Sequence, residues 1–473
     1  MQYSIINYKI LRATDDFRWD GEFLCFEPTK NRYYEYTPIT NILKFTQYGI
    51  SIEMNDEGMG YKIYRMNEIS NMFCNFDVNK YAYIDEKEMK KFELKNNDVV
   101  FNRTNSQEFV GRTGIFKKFS DEPFIFASYL VRFRPNQEKV LPEYLTTFLN
   151  SKFGIQDVKR RARISINQSN VSASELKKVE IPLLSINFQN KIKPLFDISF
   201  NFISESKKLY DESEQLLLSE LGLLDWKPKH ELSFVKNFSD TQQAERIDAE
   251  YFQPEYEEII EVVKKYKGGF DKLGNLVKIK KSIEPGSEAY QENGIPFVRV
   301  SNISKFELSD NNQQFISEKL YTELKNYQPR KGEILLSKDA TPGIAYYLNE
   351  EPEQMIVSGG ILRLKIESQQ VLPEYLTLIL NSVIVQKQIE RDVGGSVINH
   401  WRQDHVKSTM IPILENAKQK EIKELVEQSF FNRKQSKSLL EIAKRGVEIA
   451  IEKSEEEAEK WIDIELNKIG VNL

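Results

Sequence analysis

The chain has 473 residues, of which 40% are hydrophobic, and it carries a formal net charge of −5 at pH 7. This length exceeds one ordinary hydrophobic core and predicts roughly two to four domains. No run approaches the roughly 18 consecutive apolar residues of a membrane helix, and the first residues lack a signal-peptide pattern, so we expect a cytoplasmic protein without membrane contact. The two cysteines, Cys25 and Cys74, lie too far apart for a disulfide framework or a zinc site, and we expect both to be buried.

The charge is distributed unevenly along the chain. Residues 152–178 contain seven basic and two acidic side chains, whereas residues 448–465 contain eight acidic side chains and two lysines. The net acidic charge therefore does not exclude a basic face that binds a polyanion.

One twelve-residue stretch occurs twice with two differences, as VLPEYLTTFLNS at 140–151 and as VLPEYLTLILNS at 371–382. Other pairs follow in the same order. They are RWDGEF (18–23) with RIDAEY (246–251), GYKIYRMNEIS (60–70) with GIPFVRVSNIS (294–304), and VEIPLL (179–184) with TMIPIL (409–414). This pattern predicts a tandem duplication with its seam near residues 222–245, each copy being long enough to fold as a domain.

Each copy predicts the same series of elements. Short β-type runs come first, such as YKIYRM and DVVFNR in the first copy and IPFVRV and GEILLS in the second. The repeated stretch follows as a core helix that starts at Pro142 or Pro373 and serves as scaffold; in the first copy its apolar face comprises Tyr144, Leu145, Phe148 and Leu149. A long amphipathic helix closes each copy, and we expect Pro194 to kink or restart the first one.

The predicted fold class is α+β: a tandem duplication of a mostly-β or mixed domain plus a long helix, with the two long helices paired as an antiparallel coiled coil. The predicted bounds are 1–184 for the first domain, 185–222 for the first long helix, 223–245 for a linker, 246–414 for the second domain and 415–469 for the second long helix.

No catalytic motif is present in the sequence. It has no Asn-Pro-Pro-Tyr or Asp-Pro-Pro-Tyr tetrad of amino methyltransferases, no glycine-rich cofactor loop, no Walker loop and no His-Glu-x-x-His. The three histidines, His230, His400 and His405, form no defensible triad. We therefore predict no catalytic and no metal-binding residues, and a binding protein with two recognition domains.

Four signatures, which recur in order in both copies, resemble the specificity subunit of type I restriction-modification systems. In the second copy they are IPFVRVSNIS, KGEILLSKDATPG, VLPEYLTLILNS and SVINHWRQDHVKSTMIPIL. The first copy matches them more loosely, as YKIYRMNEIS, NNDVVFNRTNSQ, VLPEYLTTFLNS and SINQSNVSASELKKVEIPLL. The resemblance covers residues 12 to 465 and does not account for the acidic tail after residue 448.

The resemblance implies two target-recognition domains that bind an asymmetric, bipartite double-stranded DNA target, with helices that set the spacer and dock two methyltransferase subunits. It implies a non-catalytic subunit within a complex that has DNA adenine methyltransferase and type I site-specific deoxyribonuclease activities, the latter where restriction/translocase subunits are present. No cofactor is expected on this chain; S-adenosylmethionine is expected on the methyltransferase, and ATP and Mg on a nuclease subunit.

Segments in which the two copies differ are the candidates for the DNA-facing surface. One set follows a strand-like run in each copy: Asn102, Arg103, Thr104, Asn105, Gln107 and Arg112, and then Ser337, Lys338 and Thr341. Amide and guanidinium groups at such strand ends suit base edges in the major groove, although Asn and Thr also commonly cap turns.

A second set lies in the stretches 158–170 and 390–404. We interpret Arg160, Arg161 and Arg163 as phosphate contacts. The base-edge candidates are Asn167, Gln168, Asn399, His400 and Arg402. The alternative is a solvated run of charges; Arg65 and Arg299, at matched positions, contact the DNA backbone or serve the fold.

Two other functions remain open from the sequence. The chain could be a methyltransferase or nuclease whose site is unrecognised, which predicts methyl transfer by the purified chain. It could also be a helical scaffold of another phage-defence assembly that binds protein and not DNA, which salt-sensitive duplex binding would exclude.

Overall fold

The computed structural model of the chain describes residue 23 and residues 30–165, 168–393 and 399–473. The chain forms two compact units. The first comprises Met1–Ser204 and Asn432–Leu473, and the second comprises Glu205–Phe431. Among the described residues, no helix is long and apolar enough to cross a membrane.

The first unit contains the first copy of the duplicated module. Its strands are β1 Tyr36–Pro38, β2 Leu43–Tyr48, β3 Tyr61–Tyr64, β4 Ile69–Ser70, β5 Phe73–Cys74, β6 Tyr81–Ala82, β7 Val99–Asn102, β8 Thr104–Asn105, β9 Thr113–Ile115, β10 Phe124–Phe126, β11 Leu130–Pro135, β12 Arg163–Ile164, β13 Ser169–Asn170 and β14 Glu180–Pro182. Within its described residues, they form sheets of strand order β2-β11-β7-β9-β5-β4, β10-β3-β6, β12-β13-β8 and β1-β14.

The helices of the first unit follow the predicted series. They are α1 Glu86–Phe92, α2 Pro142–Asn150, α3 Lys152–Arg161, α4 Ala173–Lys177 and the beginning of α5 Ile186–Glu220, with short 3-10 turns at Ile39–Ile42 and Met66–Glu68. The end of α13 (Asn416–Glu452) and all of α14 (Glu455–Lys468) complete this unit.

The second unit contains the second copy. Its strands are β15 Phe270–Lys272, β16 Val277–Lys280, β17 Ile295–Val298, β18 Gln314–Ile316, β19 Glu333–Ser337, β20 Ala345–Tyr347, β21 Ile356–Val357, β22 Ile361–Ile366 and β23 Met410–Pro412. Within its described residues, the sheet orders are β16-β22-β19-β20, β18-β17-β21 and β15-β23. The helices are α6 Phe238–Ala244, α7 Pro254–Lys265, α8 Leu273–Leu276, α9 Glu318–Leu324, α10 Pro373–Asn381, α11 Val383–Asp392 and α12 Gln403–Ser408, with 3-10 turns at Ala249–Phe252, Ser287–Ala289, Val300–Asn302 and Lys325–Tyr327.

The central strand of each unit packs on both faces. In β7, Val99 and Phe101 join the cluster that contains the α2 side chains, whereas Val100 joins a second cluster on the opposite face. In β19, Ile334 and Leu336 likewise join the cluster of α10, and Leu335 joins another. Because successive side chains of a strand point to opposite faces, a run of buried residues is what a doubly covered strand requires.

The repeated stretch is a scaffold helix in both units, as predicted. The hydroxyl of Tyr144 donates to the Pro182 carbonyl at 2.7 Å, and that of Tyr375 donates to the Pro412 carbonyl at 2.5 Å. All four residues of the predicted apolar face of α2 are buried. The two copies therefore share this hydrogen bond as well as the repeated amino-acid sequence.

The long helices run antiparallel where they pair. In the second unit, the hydroxyls of Ser206 and Ser429 lie 3.0 Å apart, and Glu220 lies 3.7 Å from Lys418. In the first unit, the hydroxyls of Ser199 and Ser436 lie 2.8 Å apart. The buried serines recur at seven-residue intervals on each helix, which is the spacing of a coiled-coil seam. The predicted α+β tandem duplication with paired antiparallel helices is confirmed.

Two details differ from the sequence prediction. Helix α5 does not restart at Pro194 but is one helix through it, and the neighbouring Ile192, Leu195 and Phe196 are buried. The second long helix ends at Glu452, and Ser454 caps the separate helix α14 by accepting a hydrogen bond from the Glu457 N–H. Cys74 is buried and free, as expected, while Cys25 lies outside the described residues.

Candidate DNA-recognition surface

In the first unit, the two predicted segments form one small sheet. Strand β8 comes from the first segment, and strands β12 and β13 come from the second. In the antiparallel pairing of β13 with β8, Ser169 lies opposite Asn105 and Asn170 lies opposite Thr104. Segments more than sixty residues apart in the chain are thus held side by side.

In the second unit, the corresponding segments are paired in the same way. Asp339 and His400 form an antiparallel bridge. The N–H of Trp401 donates to the Lys338 carbonyl at 2.8 Å, just as the N–H of Val171 donates to the Arg103 carbonyl at 2.9 Å in the first unit. Thr104 therefore corresponds to Asp339, and Asn170 corresponds to His400.

The first residue of each strand-end segment points into the fold. Asn102 is fully buried, and its amide donates to the Met66 carbonyl at 3.1 Å. Ser337 is also fully buried, and its hydroxyl donates to the Thr341 carbonyl at 2.6 Å. Both were predicted as DNA contacts, but their burial makes them supports for the turn that follows.

The next residue in each segment is basic. The guanidinium carbon of Arg103 lies 5.0 Å from the centre of the Tyr48 ring, and its Nη1 donates to the Ser128 carbonyl at 3.1 Å. The ammonium of Lys338 lies 2.5 Å from Asp339. Since both copies have a half-buried cation here, this position suits a phosphate contact common to the two domains.

Arg160 and Arg161 both make contacts within the first unit. Arg161 is buried between Asp157, at 3.1 Å, and Glu175, at 3.6 Å. Arg160 lies 2.6 Å from Asp157 and stacks over the ring of Phe23 at 4.8 Å. Both guanidiniums are engaged by acids and an aromatic ring within the unit, and their role as phosphate contacts stays a prediction.

The second copy contains a matching arginine contact. Arg391 corresponds to Arg160 when the repeated stretches are aligned, and it stacks over the ring of Tyr251 at 5.4 Å. Phe23 and Tyr251 are themselves the last residues of the matched segments RWDGEF and RIDAEY. An arginine on an aromatic ring is thus a feature shared by both domains, as expected for scaffold.

The matched pair Arg65 and Arg299 also serves the fold. Arg65 is paired with Glu68 at 2.5 Å, and Nη2 of Arg299 donates to the Asn312 carbonyl at 2.7 Å. Each precedes a 3-10 turn whose third residue closes back on the backbone of the arginine.

Several predicted residues lie at the surface of the paired segments. Those that are exposed are Gln107, Arg163, Gln168, Thr341, Asn399, His400 and Arg402. Arg402 is paired with the neighbouring Asp404 at 2.6 Å, and the half-buried Arg112 stacks over Phe109 at 3.9 Å. Asn105 is half-buried on β8, and Asn167 lies outside the described residues. The role of all of these in DNA binding stays a prediction.

One cross-strand contact was not anticipated from the sequence. The amide nitrogen of Asn170 donates to the hydroxyl of Thr104 at 2.7 Å, and at the matched position Nδ1 of His400 lies 2.9 Å from the Asp339 carboxylate. Burial tends to raise the pKa of Asp339, but hydrogen bonds from Lys338 and His400 outweigh it and hold that pKa below its ordinary value. Asn170 was overlooked because only the strand register places it beside Thr104.

Comparison with known proteins agrees with this arrangement. Residues 35–214 and 269–439 both match the family described as the type I restriction modification DNA specificity domain. The chain belongs to this family. Each matched span contains one complete set of paired segments, so each specificity domain carries its own candidate surface.

Individual relatives are distant. A Methanocaldococcus jannaschii protein assigned as the MjaX specificity subunit of a type I restriction enzyme is 24% identical over 396 residues, which are 82% of this chain and 85% of the relative. The EcoKI specificity subunit of Escherichia coli is 25% identical over 168 residues, 35% of this chain and 36% of that protein. The crystal structure of the type I restriction-modification S subunit from M. genitalium is 13% identical, with coverage of 94% of this chain and 99% of that one, and its TM-score of 0.36 adds no weight to the assignment.

The specificity domains contain no cluster of three or more histidine, cysteine or acidic side chains suited to a metal ion within the part of the chain that the structure describes. The acidic side chains at the candidate surface are instead paired with bases, as Asp339 is with Lys338. The surface offers amide, imidazole and guanidinium groups, which suit recognition of base edges and phosphates.

Proposed function

We propose that this chain is the non-catalytic DNA-recognition subunit of a type I restriction-modification complex. Each specificity domain binds one half of a bipartite target. The single observation that carries this proposal is the repeated pairing of the two segments, 102–107 with 158–170 and 337–342 with 399–402, in one hydrogen-bonding pattern with different side chains. A common framework with different surface chemistry suits a target whose halves differ in sequence.

The duplication favours an asymmetric target on physical grounds. Identical reading surfaces would demand a repeated half-site, because half-site symmetry mirrors protein symmetry. Here Thr104 and Asn170 stand where the second domain has Asp339 and His400. The two domains therefore present different donors and acceptors to the major groove.

The antiparallel helices give the proposal its spacer and its partners. Buried serine pairs join the two helices within each unit. We propose that they dock two methyltransferase subunits that bind S-adenosylmethionine and methylate adenine. Cleavage follows where restriction/translocase subunits with ATP and Mg join the complex.

The test is to co-express the chain with the methyltransferase encoded beside its gene and to map modified adenines across the genome by single-molecule sequencing. The expected result is one split motif with unequal halves. A stable complex that produces no motif would support the helical scaffold, and methyl transfer by the purified chain alone would support an unrecognised enzyme.

A further inference from the structure

The candidate surface carries, in each domain, one side-chain pair that bridges the two segments. In the first domain the pair is Thr104 with Asn170, and in the second it is Asp339 with His400. Both pairs occupy the same place in the ladder, since the next backbone hydrogen bond joins Val171 to Arg103 in one domain and Trp401 to Lys338 in the other. The backbone hydrogen bonds are therefore the same in both domains, whereas the side chains of the pair have different hydrogen-bonding groups.

In each pair, one residue is more buried and the other is more exposed to solvent. Thr104 is buried and Asn170 is half-buried, whereas Asp339 is half-buried and the His400 side chain is 59% exposed. The inner residue is hydrogen-bonded to the outer one and so fixes its orientation. Thr104 and Asp339 are accordingly positioning residues, and Asn170 and His400 are the groups that reach a ligand.

The pairing decides what each outer residue can offer. Asn170 uses one N–H on the Thr104 hydroxyl, which leaves its second N–H and its carbonyl oxygen as an adjacent donor and acceptor. That combination matches N7 and the N6 amino group of adenine in the major groove.

His400 offers a different pattern. An ionised carboxylate only accepts hydrogen bonds, so Nδ1 of His400 carries the proton that faces Asp339. In the neutral ring, Nε2 is then an acceptor directed away from Asp339. An acceptor at that point favours a base with an exocyclic amino group in the major groove, namely adenine or cytosine.

We propose that the Thr104–Asn170 and Asp339–His400 pairs each determine one base of the target, the first an adenine and the second an adenine or a cytosine. This inference rests on the proposed function and adds the residues that set the identity of one position in each half-site. It also explains why the halves differ, because one framework holds two pairs of unlike hydrogen-bonding capacity.

The test exchanges the pairs between domains in the whole complex. One variant carries Thr104→Asp with Asn170→His, and the reciprocal variant carries Asp339→Thr with His400→Asn. Each domain thereby receives a pair that the matched ladder position already accommodates in the other domain. The readout is the methylated motif from genome-wide mapping, together with duplex binding by the purified complex.

We expect each exchange to change one base of one half-site and to leave the other half unchanged. Binding to duplexes altered at that position should change by on the order of ten-fold to a hundred-fold relative to the wild type. Arg163→Ala is the matched control on the adjacent strand. Its exposed guanidinium is a phosphate candidate, so it should weaken binding to all sequences and leave the motif intact.

The outcomes separate this inference from the proposed function. The absence of any motif with the wild-type chain would overturn the proposed function. A wild-type motif that both exchanges leave unchanged would overturn only the role of these pairs. If an exchanged chain fails to fold, His400→Ala decides, since the exposed side chain can be removed without opening the core: relaxed preference at one base supports the proposal, and an unchanged motif contradicts it.

Discussion

Glu143 and Glu374 occupy the same position of the duplicated helix, yet their carboxylates have opposite surroundings. Glu143 is buried against Lys117, whose ammonium lies 2.7 Å away and also contacts Asp197 at 3.0 Å. Glu374 is buried as well, but Lys423 lies 3.5 Å from its Oε1, and its Oε2 has no hydrogen-bond partner among the residues that the structure describes. The buried carboxylate at this position is thus closely paired with a lysine in the first domain and poorly paired in the second.

This difference predicts opposite effects of one substitution. Glu143→Gln leaves the buried ammonium of Lys117 with Asp197 alone, and should lower the stability of the first unit by an amount that stays below the roughly 3–5 kcal/mol of a fully broken buried pair. Glu374→Gln removes a buried carboxylate that is poorly paired, and should leave the second unit as stable or more stable at neutral pH. Hydrogen exchange on the intact chain, resolved by unit, measures both. Equal destabilisation by the two changes would contradict this account.

The pH dependence of the second unit follows from the same carboxylate. Burial raises the pKa of Glu374 above its ordinary value of 4.5, and the attraction of Lys423 opposes that shift only in part. The folded state therefore binds this proton more readily than the unfolded state. Protonation of Glu374 contributes fully to the stability of the second unit below about pH 4.5, and this contribution is lost as the pH rises through the pKa of the folded state. Hydrogen exchange of the second unit, followed from pH 5 to pH 8, should show this loss in the wild type and a flatter profile in Glu374→Gln. Identical profiles would show that Glu374 does not titrate in this range.

Arg161 and Arg163 lie two residues apart and should respond differently to alanine. Arg161 is buried with Asp157 and Glu175, so Arg161→Ala leaves these buried acids with only Arg160 and Lys178 as bases. The change should lower stability by an amount that stays below the roughly 3–5 kcal/mol of a fully broken buried pair. Arg163 is exposed on β12, so Arg163→Ala should leave stability unchanged and reduce the salt dependence of duplex binding by about one phosphate contact. Thermal unfolding and binding at several salt concentrations give both numbers. A normal fold with reduced salt dependence in Arg161→Ala would show that Arg161 contacts a phosphate.

The fold was predictable because the duplication and the spacing of apolar residues can be read directly from the sequence. The repeated stretch predicted helices α2 and α10, and the amphipathic spacing predicted the two long paired helices. The break between α13 and α14 was missed, because Glu, Ala and Lys around residue 453 all favour helix and obscure the start signal at Ser454, whose side chain caps α14. A β-carbon on Gly446 would lie 2.6 Å from the Ile462 side chain, so this close approach of two helices depends on a contact that no local pattern reveals.

The candidate surface was predictable only at the level of segments. Sequence differences between the copies identified both stretches in each domain. When two copies share one fold, the positions at which they differ are candidates for the surface that binds different ligands. Which side chains face outward depends on strand register, and a shift of one residue exchanges the two faces. Asn102 and Arg161 have the residue types of DNA contacts but are buried. The place of Asn170 opposite Thr104 follows only from the register of β13, which the sequence does not show.

The acidic helix α14 should act as a structural part of the first unit. Ile462 on this helix is fully buried in the same cluster as Ala443 and Val447 of α13, whereas Ile464 is 55% exposed. Ile462→Ala should therefore lower the stability of the first unit by about 2–5 kcal/mol, and Ile464→Ala should change it by no more than about 0.5 kcal/mol. Unit-resolved hydrogen exchange is the measurement. If Ile464→Ala instead impaired assembly with the methyltransferase at unchanged stability, the exposed face of α14 would be a partner contact.

Gln189 and Gln419 join the long helices to the repeated stretch in the same way, and they allow a matched test of the two units. Each side-chain oxygen accepts a hydrogen bond from the backbone N–H at the start of the repeated helix, Leu141 or Leu372, at 2.8 Å. Each amide nitrogen donates to a carbonyl at the entrance of its own long helix, Leu184 or Leu414, at 2.9 and 2.8 Å. Both glutamines are buried, so water cannot replace these bonds.

Replacing either glutamine with leucine should leave buried backbone groups unsatisfied and lower the stability of its own unit by about 1–3 kcal/mol for each group. Gln189→Leu should increase hydrogen exchange in residues 140–204 and leave residues 371–431 protected, and Gln419→Leu should do the reverse. Gln107→Leu, at an exposed position, is the control and should change neither. Loss of protection in both units from a single substitution would show that the two units unfold as one, and would remove the basis for treating each half of the reading surface as independently supported.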